Sequence, residues 1–156
     1  AVKELFFSNL DRMEQQRQES PFIGNAVCIG CHVNASAIWK NSRHAHAFAT
    51  LENNGKHFDP ECLECHVVGL KPWEAPTNAS ESVRKFSGRT GFLSSQLTPH
   101  LKNVQCENCH GPARAHLENS KIHPANNEPN STCVSCHHGS HSPMFNFETY
   151  WPKIKH

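Results

Sequence analysis

No run of apolar residues in this chain approaches the ~20 needed to cross a bilayer as a helix. An excess of one charge is also missing. Fifteen basic residues stand against 14 acidic ones, for a net charge of +1. That balance excludes the basic footprint of a nucleic-acid binder and a polybasic membrane patch. Apolar residues are scarce, at 37%, and the mean hydropathy is −0.62. A typical soluble domain is ~45–50% apolar with glycine counted. At 156 residues the chain is one domain long, and so small a domain buries too little surface to be comfortably stable. Something other than side chains must supply core. No alternating pattern marks a strand. A signal peptide is absent too: Ala1 opens a charged stretch, so a leader is expected to have been removed, or the chain to have been cut from a longer one.

Two residue types are over-supplied. There are 13 histidines, nearly as many as all acids together, and 8 cysteines. The cysteines all fall in four frames of one form: Cys28-Ile-Gly-Cys31-His32, Cys62-Leu-Glu-Cys65-His66, Cys106-Glu-Asn-Cys109-His110 and Cys133-Val-Ser-Cys136-His137. None is left over. Random placement would yield roughly 0.03 such frames.

Cys-x-x-Cys-His is the attachment frame of c-type haem. Two thiols add to the two vinyl groups on one porphyrin edge, and two intervening residues let both sulfurs reach it. The adjacent histidine then binds the iron from below. This reading makes Cys28, Cys31, Cys62, Cys65, Cys106, Cys109, Cys133 and Cys136 thioether positions. It makes His32, His66, His110 and His137 proximal ligands. Zinc binds paired cysteines as well, but does not require a histidine after every second one. A disulfide framework explains neither the uniform spacing nor the histidines.

Four haem c groups on 156 residues leave 39 residues per haem. The expected fold is mainly α with extensive loops and little or no sheet, a multihaem cytochrome c fold whose core is the haems. Haems so dense lie close enough for electrons to hop between them. Thioether attachment takes place outside the cytoplasm, so the expected location is periplasmic, cell-surface or secreted.

The frames begin at 28, 62, 106 and 133, too irregular for a solenoid repeat. Residues 1–20 read as an amphipathic helix carrying Val2, Leu5, Phe6, Leu10 and Met13, ended by Ser20-Pro21. They form an N-terminal arm or linker, and residues 21–156 the tetrahaem domain. Residues 34–53 read as one helix stopped by Asn53-Asn54-Gly55. The stretch 69–99, with Gly69, Pro72, Pro76, Gly88, Gly91 and Pro99, reads as loop. Short helices are expected around 112–120 and 145–155. Trp39, Trp73 and Trp151 read as packing residues rather than electron relays.

Nine histidines remain: His44, His46, His57, His100, His116, His123, His138, His141 and His156. A second histidine on iron gives a low-spin haem suited to electron transfer, and an open position suits small-molecule chemistry. His46 reads as lining a haem edge and His138 as pointing elsewhere. His57 and His123 read as loop residues. His156 reads as a tail or as a ligand for a neighbouring molecule.

Three segments carry a resemblance: Trp39-Lys-Asn-Ser42-Arg-His44-Ala45; Thr98-Pro99-His100-Leu101 ahead of Cys106-Glu-Asn-Cys109-His110-Gly111-Pro112; and His141-Ser142-Pro143 leading into Phe147 to Trp151. Residues 21–156 resemble the tetrahaem cytochrome c-554 family. The resemblance implies His44 as distal ligand of the third haem, His141 of the first and His100 of the fourth. It also implies an open second haem. Here His116, six residues after His110, is expected to close that site, making all four haems bis-histidine. The expected function is electron transfer with redox partner proteins, other cytochromes or an oxidoreductase. Two alternatives stand beside it. One is a haem enzyme reducing a small nitrogen or sulfur species at one open site. The other is a subunit of a polymeric extracellular cytochrome assembly, by self-assembly or by fusion to an upstream domain.

Overall fold

The computed structural model describes residues 1–124 and 128–156. The chain is helical pieces joined by long loops, and among the described residues the only β pairing is two isolated bridges, Val67–Lys102 and Trp73–Arg89. In chain order the helices are α1 (Val2–Glu19), α2 (Asn25–Cys28), α3 (Val33–Lys40), α4 (Ala47–Asn53), α5 (Pro60–His66), α6 (Glu81–Arg84), α7 (Cys106–His110), α8 (Arg114–Glu118), α9 (Pro129–Val134) and α10 (Phe147–Tyr150).

Helix α1 matches its sequence signal but buries none of its residues. Val2, Leu5, Phe6, Phe7 and Leu10 are exposed. Only its C-terminal half is tied down. Gln16 donates to the carbonyls of Thr90 and Gly91 at 3.2 and 3.1 Å, and Glu19 pairs with Arg89 at 3.0 Å. Arg114 donates to the carbonyls of Arg17 and Ser20.

The helix expected over 34–53 is broken in two. Asn41 and Ser42 turn their side chains back onto the carbonyls of Ala37 and Trp39, at 2.9 and 2.7 Å. Such bonds compete with the helical ladder. Ser42 accordingly adopts extended backbone, and a 3₁₀ turn, Arg43–His46, precedes α4. The break matters because it re-aims His44.

The loop expected over 69–99 holds the short α6 and is otherwise irregular. Its backbone closes on the rest of the chain through Gly91 N to Gly69 O at 2.7 Å and Phe92 N to Val68 O at 2.9 Å. Gly69 has φ +68°, and a β-carbon there would stand 2.4 Å from the Phe22 ring. The two C-terminal helices are shorter than expected: α8, and α10 followed by a 3₁₀ turn, Trp151–Lys153.

The apolar core is small and gathers beside α5. It consists of Phe22, Phe48, Leu51, Leu63, Val67, Val68, Phe92 and Leu101. Cys62 of the second frame packs against it. The other three frames lie outside that cluster.

Candidate functional site

Each frame is one helical turn. The amides of His32 and His137 donate to the carbonyls of Cys28 and Cys133 at 2.9 and 2.8 Å, and the other two frames lie within α5 and α7. A helical turn puts positions i, i+3 and i+4 on one face. Both thiols and the histidine of a frame therefore share a side, as attachment to one porphyrin edge needs.

The frame thiols run from half-buried to exposed, with Cys31 and Cys109 the exposed pair. Among the described residues no three histidine, cysteine or acidic side chains converge as a metal cage.

The frames abut one another. The Cys28 thiol hydrogen-bonds with Cys106, which pushes Cys28 up and pulls Cys106 down to about 7. Cys65 is raised to about 12 by burial and then by Cys136 beside it. Cys109 is raised to about 11 by burial and then by Cys133 and Cys136. Helix α7 also packs on both α2 and α9. Frame one therefore touches frame three, three touches four, and four touches two.

An iron bound by two imidazoles sets their ring centres about 6 Å apart, from metal–nitrogen bonds of about 2 Å. Three proximal histidines have a second imidazole at such a distance. His32 lies 6.3 Å from His116, His137 lies 6.0 Å from His44, and His110 lies 5.6 Å from His156. Backbone and hydroxyl groups occupy Nδ1 of several of these rings. His116 donates to Ile122 O at 2.8 Å, and His137 pairs with Ser142 Oγ at 3.0 Å. Such bonds fix the tautomer and leave Nε2 for a metal. Burial pulls the pKa of His44, His100, His110 and His137 below the ordinary value. A neutral ring is the form that binds a metal.

These ring pairs are not those expected from the resemblance or, for His116, from its spacing. His44 stands beside the fourth frame rather than the third. His116 stands beside the first rather than the second, with His123 stacked 6.0 Å away on it. His141 lies 6.2 Å from His138, at right angles to it. His100 sits on a 3₁₀ turn against Gly24, next to the first frame. Among the described residues neither His66 nor His100 stacks or tilts against another aromatic ring, and His66 bears on His44 only electrostatically. His66 donates instead from Nδ1 to Ala47 O at 2.6 Å.

Two features escape sequence reasoning. Glu107, inside the third frame, is 3% exposed and accepts from the amides of Ile23, Gly24 and Ala113 at 2.8–3.1 Å. Burial pushes its pKa up against the pull of those amides and of Arg114. It clamps the third frame to the chain ahead of the first. His137 is packed by Phe145, stacked at 4.9 Å, and by Tyr150, edge-on at 5.6 Å. Nothing in the spacing of these residues signals either contact.

The family model for cytochrome c554 and c-prime matches residues 27–111, which hold the first three frames. Cytochrome c-554 of Nitrosomonas europaea is 30% identical over 111 residues, covering 62% of this chain. The match spans 40% of that relative's length. No solved structure matches. The chain belongs to the cytochrome c554 and c-prime family, whose members hold haem covalently and pass electrons through it.

Proposed function

We propose that the chain is a four-haem electron carrier working outside the cytoplasm. One haem c is attached at each pair Cys28/Cys31, Cys62/Cys65, Cys106/Cys109 and Cys133/Cys136. His32, His66, His110 and His137 are the proximal ligands. The observation that carries this is the contact of the frames in a line, one–three–four–two. Haems held there stand edge to edge, and an electron enters at one end and leaves at the other. Haem supplies the redox change, and the polypeptide sets spacing, ligation and burial.

His116 and His44 act as sixth ligands of the first and fourth haems. Their ring separations from His32 and His137 support this. His100 and His141, implied by the resemblance, have no proximal imidazole beside them. The partners are redox proteins, another cytochrome or an oxidoreductase. Exposed apolar side chains on α1 leave room for self-assembly or for an upstream domain.

The test is haem-counting on the mature protein. The intact mass exceeds 17.5 kDa by four covalent haems that survive acid–acetone extraction. An excess of three or fewer overturns the count.

A second reading has one observation in its favour. Among the described residues His66 forms no ring pair with a second imidazole, His44 acting on it only from further off, so the second haem is the one able to stay open and reduce a small nitrogen or sulfur species. Reduced protein that takes up carbon monoxide at one haem per chain, with an unchanged uptake in His116→Ala, supports it. No uptake excludes it.

A further inference from the structure

We propose that His156 is the sixth ligand of the iron held by the third frame, opposite His110. The assignment rests on the four-haem reading and extends it to a residue that spacing from a frame does not single out. The two rings stand 5.6 Å apart, between centres, at 52°. Nδ1 of His156 donates to Ile154 O at 3.1 Å, which leaves Nε2 for the metal.

The segment that delivers His156 is built to reach that far. Asn146 caps α10 by accepting from the Thr149 amide at 3.1 Å. Phe147 stacks on Trp151 at 5.8 Å. The 3₁₀ turn then carries on, with the amides of Ile154 and Lys155 donating to Trp151 O at 3.1 and 3.0 Å. Lys153 lies over the Tyr150 ring at 5.1 Å. Tyr150 and Phe145 grip His137. The segment is thus anchored on the fourth frame and ends on the third, the frame its neighbour touches through α7 and α9. One strap serves two haems: aromatic packing for the fourth and an axial nitrogen for the third. Among the described residues no other proximal histidine has an imidazole from this segment stacked or tilted beside it.

The experiment uses the full chain matured with its haems. Wild type, His156→Ala and His156→Met are compared by electron paramagnetic resonance of the oxidised state and by haem-peptide mass spectrometry. His156→Ala is expected to keep four haems and turn one low-spin haem high-spin, and added imidazole to restore the low-spin signal. His156→Met is expected to stay low-spin at a raised potential, because a thioether ligand favours ferrous iron. A merely structural role predicts neither imidazole rescue nor a potential set by the new ligand. An unchanged low-spin count in His156→Ala with four haems attached overturns the proposal. A wild-type Cys106–Cys109 peptide without haem overturns the four-haem reading instead, and the peptide masses tell the two failures apart.

Discussion

His44 stands with its ring centre 6.0 Å from that of His137, a residue of the last frame brought back onto the segment after the first. That contact brings the last frame back against the first third of the chain. His44→Ala is expected to make one of four haems high-spin and raise its potential by on the order of 100 mV, within the span of about 0.8 V that axial ligands command. Haem spectra and a redox titration check this. An unchanged spectrum removes His44 from the ligand set.

His44 is positioned through Val104. The Trp39 indole donates to Val104 O at 2.7 Å, and the Val104 amide donates to His44 O at 3.2 Å. Trp39→Phe is expected to cost about 1 kcal/mol, the worth of one hydrogen bond. It is also expected to perturb the same haem as His44→Ala, at smaller amplitude. Loss of stability with all four haem signals identical to wild type contradicts the positioning role.

Glu107 is the acceptor for three backbone amides of two loops. Glu107→Ala leaves those donors buried without a partner, at about 1–3 kcal/mol each. A loss of about 3 kcal/mol or more is expected in denaturant unfolding of the haem-loaded protein. Glu107→Gln keeps an acceptor and is expected to lose less. Equal losses for the two variants count against the clamp.

Gly69 combines a left-handed backbone with a ring where a side chain would go. Gly69→Ala meets both penalties and is expected to destabilise by about 2 kcal/mol or more. Phe22→Ala in the same chain relieves the clash but not the φ strain, so the double variant should show partial additivity only. Full additivity means the ring is not the obstacle.

The eight-residue apolar cluster is meagre for a chain of this length. Expression in the cytoplasm without a secretion signal is therefore expected to give a colourless and poorly folded chain. Circular dichroism and amide exchange test it. A cooperative haem-free unfolding transition equal to that of the loaded protein argues that haem is not core.

How much was legible varies with the range of the interaction. The four Cys-x-x-Cys-His frames are visible in the spacing alone, and the structure adds that each is one helical turn with its thiols and histidine on one side. The helical, loop-rich character was legible too, from missing strand alternation and abundant glycine and proline. Helix 34–53 was legible except for its break, which depends on Asn41 and Ser42 choosing backbone carbonyls over the ladder.

The sequence by itself determined how many Cys-x-x-Cys-His frames exist, which thiols and histidines they contain, and how scarce apolar side chains are. Only the tertiary structure decided which histidine faces which frame. His44 and His137 are 93 residues apart in the chain, and spacing carries no information about which distant turn closes over which iron. The same holds for Glu107, a surface residue by composition that becomes a buried clamp, and for His156, a tail residue that becomes an imidazole beside His110. Local chemistry is encoded in neighbours along the chain. Neighbouring imidazoles and abutting frames are set by packing, where the loops must satisfy their backbone groups and the small core must close at once.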